Sequence, residues 1–307
     1  MMLKIGVIVC AHGNAKAVAR LCRAYERENA DVIALCGDLG DDFKEISAVM
    51  RAASSKKTKV IAFPGSHEPE KDFAKALRKH KRVIDGIKTR KVSLKGYDVV
   101  TLPGSSVNVS HASFRIADKK LPARYLRQFR VFFINQLTRF IKNAKKTVVL
   151  CHDPPRGSSP KGIDVAYSGV VAKTFILKSK DVGIFGKQWQ KALRANPLAL
   201  INQKGQIITE PYASLLAKRG YPVSVKHRNV GNEALKAFLK RKNIAFFACG
   251  HIHEAGHRAV NAAGKPLKKG EWSSSVWHNA APAVEGNGGM LIIDGEQATF
   301  KNINVKS

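Results

Sequence analysis

Along the amino-terminal part of the chain, apolar and polar positions repeat with two different periods. Short, almost wholly apolar runs at residues 5–9, 32–35 and 60–63 have the length of strands buried on both faces. Between them, residues 15–28, 43–53 and 70–80 place apolar side chains three and four apart, the stripe of an amphipathic helix. This repeated βα order predicts an α/β fold whose helices cover the sheet and whose loops at the strand carboxyl ends gather along one edge. Residues 92–94 and 99–102 flank Lys95-Gly96 and predict a hairpin. Leu126, Phe129, Phe133, Leu137, Phe140 and Ile141 recur at helical spacing behind Pro122, so a long amphipathic helix is predicted from Pro122 to near Lys146. Strands are predicted at 148–150, 245–248, 276–280, 290–294 and 299–303, and a helix at 233–242.

From 156 to 226 the periodicity weakens and Gly, Ser and Pro punctuate the chain. This stretch carries 12 Lys/Arg against 3 Asp/Glu. Because the alternation resumes after it, it reads as a basic insertion or cap within one domain spanning residues 1–307.

Charge narrows the candidate partners. Lys and Arg outnumber Asp and Glu by 53 to 23, a formal net charge of +30, far beyond the need of solubility. Residues 71–146 alone hold 20 basic and 4 acidic side chains. Such an excess suits an anionic partner, whether a phosphate-containing substrate, RNA or DNA, or an acidic membrane surface, or else a lineage whose proteins are all basic. No RGG repeat, zinc finger or RNA-binding module accompanies it. The five cysteines are odd in number and include no CxxC pair, so they indicate neither a zinc ribbon nor a disulfide framework and point to a reducing, cytoplasmic setting. No stretch approaches the roughly 18 apolar residues of a membrane span.

Five short loops share one feature: each follows an apolar run and presents metal-type ligands. They are "CAHGN" with His12, "CGDLGDD" with Asp38 and Asp41, "PGSHEP" with His67, "CHDPP" with His152, and "CGHIHEAG" with His251 and His253. Imidazoles together with a carboxylate suit Mn, Fe or Zn. In this order the loops resemble the calcineurin-like metallophosphoesterases, whose pattern runs D-x-H, G-D-x-x-D, G-N-H-D/E, H-x-P and G-H-x-H. The resemblance covers residues 3–68, 147–155 and 227–254, and an H-x-G element like "HRNVG" from His227 to Gly231 fits a small prokaryotic branch.

The resemblance implies a four-layer α/β/β/α metallophosphoesterase sandwich. It also implies hydrolysis of a phosphodiester or nucleotide-type phosphate ester by a hydroxide held between one or two divalent transition metal ions, Mn, Fe or Zn. Asp38 would bridge two ions, with His12 and His253 on one and His152 and His251 on the other. His67 would sit beside the scissile phosphate as the acid for the leaving oxygen or as a stabiliser of charge. Asp41 would support the loop or orient a histidine. Arg156 and His227 are candidate contacts to the substrate.

Two positions depart from the pattern, since Cys10 stands where the family has Asp and Ser66 where it has Asn. Cys10 reads either as a thiolate ligand or as a small buried filler, and Ser66 as a shortened ligand or a space for water. A site with one assured carboxylate neutralises two cations less well, so weaker metal binding is expected. The same departures, with the charge, fit a second reading: a degenerate metallophosphoesterase fold serving as a basic nucleic-acid-binding or ribonucleoprotein component.

Overall fold

Each of the apolar runs at the start of the chain becomes a strand of a six-stranded sheet, in the order Gln297–Asn304, Asn287–Asp294, Leu3–Ile8, Val32–Cys36, Lys59–Phe63, Val83–Asp85. The last four strands run parallel, with Ile5 opposite Val32 and Val32 opposite Lys59. Asn287–Asp294 pairs antiparallel with Leu3–Ile8 and with Gln297–Asn304. The helices Ala15–Arg27, Phe43–Ala53 and Glu70–Lys79 make the crossovers. Two of them begin on side-chain caps: Asn14 accepts from the Ala17 amide at 3.1 Å, and Asp42 from that of Glu45 at 2.9 Å. Each cap satisfies an amide that would otherwise lack a helical partner.

A second six-stranded sheet follows the order Ala259–Val260, Val276–Asn279, Phe246–Cys249, Thr147–Cys151, Tyr97–Leu102, Lys91–Leu94. Its four inner strands are parallel and its two edge strands antiparallel. The hairpin turns through Lys95 and Gly96 at φ 49° and 80°, the left-handed pair that matches strand twist in a two-residue turn. Alternation along the strands divides the core. Leu3, Ile5, Val7, Ala34, Ile61 and Phe63 pack against Val99, Val148, Leu150, Phe246 and Ala248 between the sheets. Ile33, Leu35, Val60 and Ala62 face the helices of the first layer, while Val149 and Phe247 face Leu235 and Phe238 of the helix Glu233–Arg241 and Leu137. The result is the α/β/β/α sandwich, and burying each of its Val, Leu, Ile and Phe side chains contributes about 1.5–3 kcal/mol.

The computed structural model describes residues 2–54, 58–106, 113–118, 128–178, 181, 201–209 and 212–305. They divide into two compact units, Met1–Asp164 with Asn229–Ser307, and Val165–Arg228. The second unit contains a three-stranded sheet ordered Ile207–Thr209, Val165–Val171, Val223–Asn229. The helix Tyr212–Lys218 covers it, around a core of Val171, Ile208, Ala213, Leu216 and Val223.

The long helix expected from Pro122 to near Lys146 is not formed. Its start, Pro122–Arg127, lies outside the described residues. Arg130–Phe133 is a strand, parallel to Phe114–Ala117, and two short 3-10 turns, Ile134–Arg139 and Ala144–Lys146, follow. Aromatic residues suit a pleated strand as well as a helix face. Here the Arg90 guanidinium lies over the rings of Phe132 and Phe140, at 5.4 and 5.2 Å from their centroids. Those tertiary contacts outweigh the helical spacing.

Candidate metal centre

The five loops leave the carboxyl ends of strands Leu3–Ile8, Val32–Cys36, Lys59–Phe63, Thr147–Cys151 and Phe246–Cys249. Backbone hydrogen bonds bind the first two loops edge to edge: Cys10 N to Gly37 O at 3.0 Å, His12 N to Asp38 O at 3.0 Å and Gly13 N to Leu39 O at 2.8 Å. The His152 carbonyl accepts from Gly250 N at 3.0 Å, joining the fourth loop to the fifth. Cys10, His12, Asp38 and His251 all have positive φ, at 50°, 41°, 55° and 66°. Non-glycine residues in this region store strain, and such residues concentrate at functional sites. Glycines allow the closest approach. A Cβ on Gly37 would lie 2.6 Å from Gly65 Cα, and one on Gly65 would lie 2.6 Å from Asp38 Oδ1 and 2.8 Å from the His152 ring.

Asp38 is buried at the centre. Its Oδ1 accepts from the amides of Ser66 at 2.6 Å and His67 at 3.1 Å, and the Ser66 hydroxyl lies 3.0 Å from both carboxylate oxygens. Burial alone would raise its pKa, but His152, His67 and His251 outweigh that and hold the carboxyl well below its ordinary range. His152 Nε2 stands 3.0 Å from Asp38 Oδ2 and 3.0 Å from His251 Nδ1. Its Nδ1 lies 3.0 Å from the Cys36 carbonyl, which can only accept, so Nδ1 carries the N–H. Nε2 is therefore aimed at a carboxylate oxygen and a second imidazole, an arrangement that requires positive charge between them. A proton on His152 supplies it in the bare protein: against burial, which lowers it, Asp38 raises the His152 pKa to about 9. A divalent cation would take the place of that proton, and a histidine fixed by a backbone carbonyl through its other nitrogen is the usual metal ligand.

Three sets of side chains bring their donor atoms within 4.8 Å of one another: Cys10, His12 and His253; Cys10, Asp38 and His152; and His152, Asp153 and His251. Cys10 belongs to two of them and so stands between the His12–His253 and His152–His251 pairs, whose ring centroids are 5.9 and 4.8 Å apart. Burial, then the charge of Asp38, push its thiol pKa well above the ordinary value. Without a cation the thiol is protonated. Burial also lowers the pKa of His12, His251 and His253, which keeps their nitrogens free to bind metal. The donor set thus fits a divalent metal ion, imidazole and thiol being ligands of transition metals more than of Mg or Ca.

His67 lies beside this cluster with its side chain 27% exposed. Its Nδ1 meets Asp41 Oδ1 at 2.7 Å, its Nε2 is 4.0 Å from Asp38 Oδ2, and its ring centroid is 4.9 Å from that of His12. Arg156 pairs instead with Glu233, Nε to Oε1 at 3.5 Å, with both side chains about half exposed. His227 belongs to the second unit, where its exposed ring lies 4.3 Å from Tyr167.

Four residues that hold the site were not singled out from the sequence. Glu68 is fully buried and accepts from Leu39 N at 2.6 Å and Gly65 N at 2.8 Å; burial and nearby Asp38 push its pKa up to about 7. Asp153 accepts from the Ser105 hydroxyl and the Ser106 amide, both at 2.6 Å. Asp164 fastens the amides of Gly157 and Gly231 at 2.8 and 3.0 Å. Asn279 donates to Ile163 O at 2.9 Å and Ile252 O at 3.0 Å, within the loop that carries His251 and His253. Only Glu68 and Asp153 gave a signal, as acids next to motif histidines.

The chain is similar in fold to a protein of Thermus thermophilus, with 13% identity, a TM-score of 0.52 and coverage of 98% of this chain and 99% of that one. A dimetal phosphatase from Danio rerio aligns over 98% of each chain with 11% identity and a TM-score of 0.45. No curated protein sequence matches. Residues 3–186, more than half of the chain, match the calcineurin-like phosphoesterases, a family of metal-dependent phosphoester hydrolases. The chain belongs to the calcineurin-like phosphoesterase family.

Proposed function

We propose that the protein is a metal-dependent hydrolase of a phosphodiester or nucleotide-type phosphate ester, working in a reducing cytoplasm. The observation that carries this is the run of three overlapping donor sets, joined through Cys10 and His152, with the His67–Asp41 pair at their exposed edge. His12 and His253 would hold one cation, His152 and His251 a second, with Asp38 shared between them and Cys10 completing the set as thiolate. Bound there, divalent Mn, Fe or Zn would neutralise phosphoryl charge and acidify a water near neutral pH.

The remaining steps belong to the protein. Asp41 holds the N–H of His67 Nδ1, so that Nε2 faces the site and, in the imidazolium, carries the proton passed to the leaving oxygen. The Ser66 hydroxyl and the two amides hold the Asp38 carboxylate in one orientation. The Lys and Arg excess raises the local concentration of an anionic substrate. Arg156 can contact such a substrate, because its exposed pair with Glu233 is weak. All five cysteines are unpaired and buried, which suits a reducing compartment.

The test is hydrolysis of bis(p-nitrophenyl) phosphate by protein reconstituted with Mn, Zn or Fe(II). Turnover is expected with at least one metal and should be lost on chelation and in His67→Ala. Silence with all three metals, in protein that stays folded, would overturn the proposal and favour the basic nucleic-acid-binding reading.

A further inference from the structure

A second cleft opens beside the metal centre, lined by Asn14, Lys16, Arg20, Val284, Glu285 and Gly286 among others, with a volume of about 620 Å³. Its Asn14 closes the His12 loop, and its Val284 is tied to the backbone of Cys10. The Val284 amide donates to Cys10 O at 3.0 Å, and Asn14 Nδ2 donates to Val284 O at 2.9 Å. Glu285 is near enough to His253 to act on its charge. One wall is therefore hydrogen-bonded directly to a residue of the centre, and another starts two residues after His12.

Lys16 and Arg20 are four apart on the helix Ala15–Arg27, so both project from one face. Elsewhere in the chain, basic side chains such as Arg130, Lys145 and Lys301 find carboxylates. Neither Lys16 nor Arg20 has an ion-pair partner among the described residues. Glu285, the one acid of the cleft, hydrogen-bonds Asn287 at 3.3 Å. Two cations against one carboxylate leave the cleft positive. An ammonium and a guanidinium on one open wall make a receptor for phosphate oxygens.

We infer that this cleft is a subsite for a second phosphate group of the substrate. The substrate class is then one bearing at least two phosphates, either adjacent, as in a nucleoside diphosphate, or separated by a nucleoside, as in an oligonucleotide. The inference rests on the phosphoesterase reading in that the first phosphate occupies the donor cluster. Lys16 and Arg20 select for the second.

Equilibrium binding separates the two ideas, since it needs no turnover. Fluorescein-labelled thymidine dinucleotide, with one phosphodiester, and trinucleotide, with two, are titrated against metal-reconstituted protein, with ADP as competitor. The trinucleotide or ADP should bind about tenfold or more tightly than the dinucleotide, consistent with added charge-assisted hydrogen bonds. Tighter ADP marks adjacent phosphates, and tighter trinucleotide marks a nucleic-acid strand. The preference should vanish in the Lys16→Ala/Arg20→Ala variant and persist in Lys16→Arg. No preference in the wild type, or one that survives the double substitution, overturns the subsite. Hydrolysis of bis(p-nitrophenyl) phosphate without a two-phosphate preference would refute the subsite alone. A lost preference on removing both cations, in a protein that hydrolyses nothing, would uphold the subsite and refute the catalytic reading.

Discussion

The Asp41 carboxylate meets the His67 ring at 2.7 Å, Oδ1 to Nδ1, and so decides which nitrogen of His67 looks toward Asp38. Asp41→Ala leaves the ring free to rotate and to change tautomer. Turnover should fall about 10- to 100-fold, and for His67→Ala about 100- to 10,000-fold, the range for a lost general acid. Metal content measured on the same samples should stay constant. A proportional loss of metal would show that the pair supports the cluster rather than the proton transfer.

Cys10→Asp should have opposite effects on the bare and loaded protein. An aspartate tolerates the positive φ of position 10 better than most residues, but it places a second carboxylate beside buried Asp38. Without metal the two charges repel, so the melting temperature should drop. With Mn or Zn the harder oxygen ligand should raise metal affinity, and stability should climb with metal concentration as binding to the folded state requires. Calorimetric melting with and without chelator reads both effects; a variant that melts like the wild type in both would remove Cys10 from the ligand set.

Gly65→Ala tests the closeness of the loops. Its new methyl would press on Asp38 Oδ1 and the His152 ring, which cannot yield without breaking the 3.0 Å contact between them. Metal affinity should fall at least tenfold, and overpacking should cost about 1–3 kcal/mol of stability. Chelator competition together with urea denaturation measures both.

Acid sensitivity should arise from His278, far from the catalytic proposal in its role. The residue is fully buried in the strand Val276–Asn279 with its ring 4.8 Å from that of Phe300, and burial pushes its pKa down to about 3. An unfolded chain titrates the same group near 6.5. The folded state is therefore favoured in full above pH of about 6.5 and loses about 1.4 kcal/mol per pH unit as pH falls from there toward about 3. Urea denaturation of wild type and His278→Leu across this range should show that increment of slope in the wild type only. Equal slopes would mean the imidazole is protonated inside the fold.

Much of this architecture is legible in the residues themselves. Strands covered on both faces, such as Val32–Cys36 and Thr147–Cys151, leave unbroken apolar runs, and a strand that must end in a loop of ligands leaves Gly, His or Asp directly behind it. The residues from Phe129 to Ile141 mislead because their periodicity is real but not decisive. Arg90, distant in sequence, lies over two of their rings, and no local pattern encodes that. Asp164 and Asn279 escape for another reason: a buried side chain that serves backbone amides or carbonyls is recognised only once the loops it joins are known to be neighbours.

The left-handed backbone at Cys10, His12, Asp38 and His251 bears on how this fold can change over time. Each of these tips is uncomfortable for an ordinary L-residue, by about 1–3 kcal/mol, and that discomfort is absorbed by the layers beneath. Exchanges at the tips are thus filtered first by torsion angle and only then by chemistry: glycine, asparagine and aspartate pass easily, valine and isoleucine hardly at all. New reactivity can be tried on such a scaffold one tip at a time, within a short alphabet, while the sheets below go on folding as before.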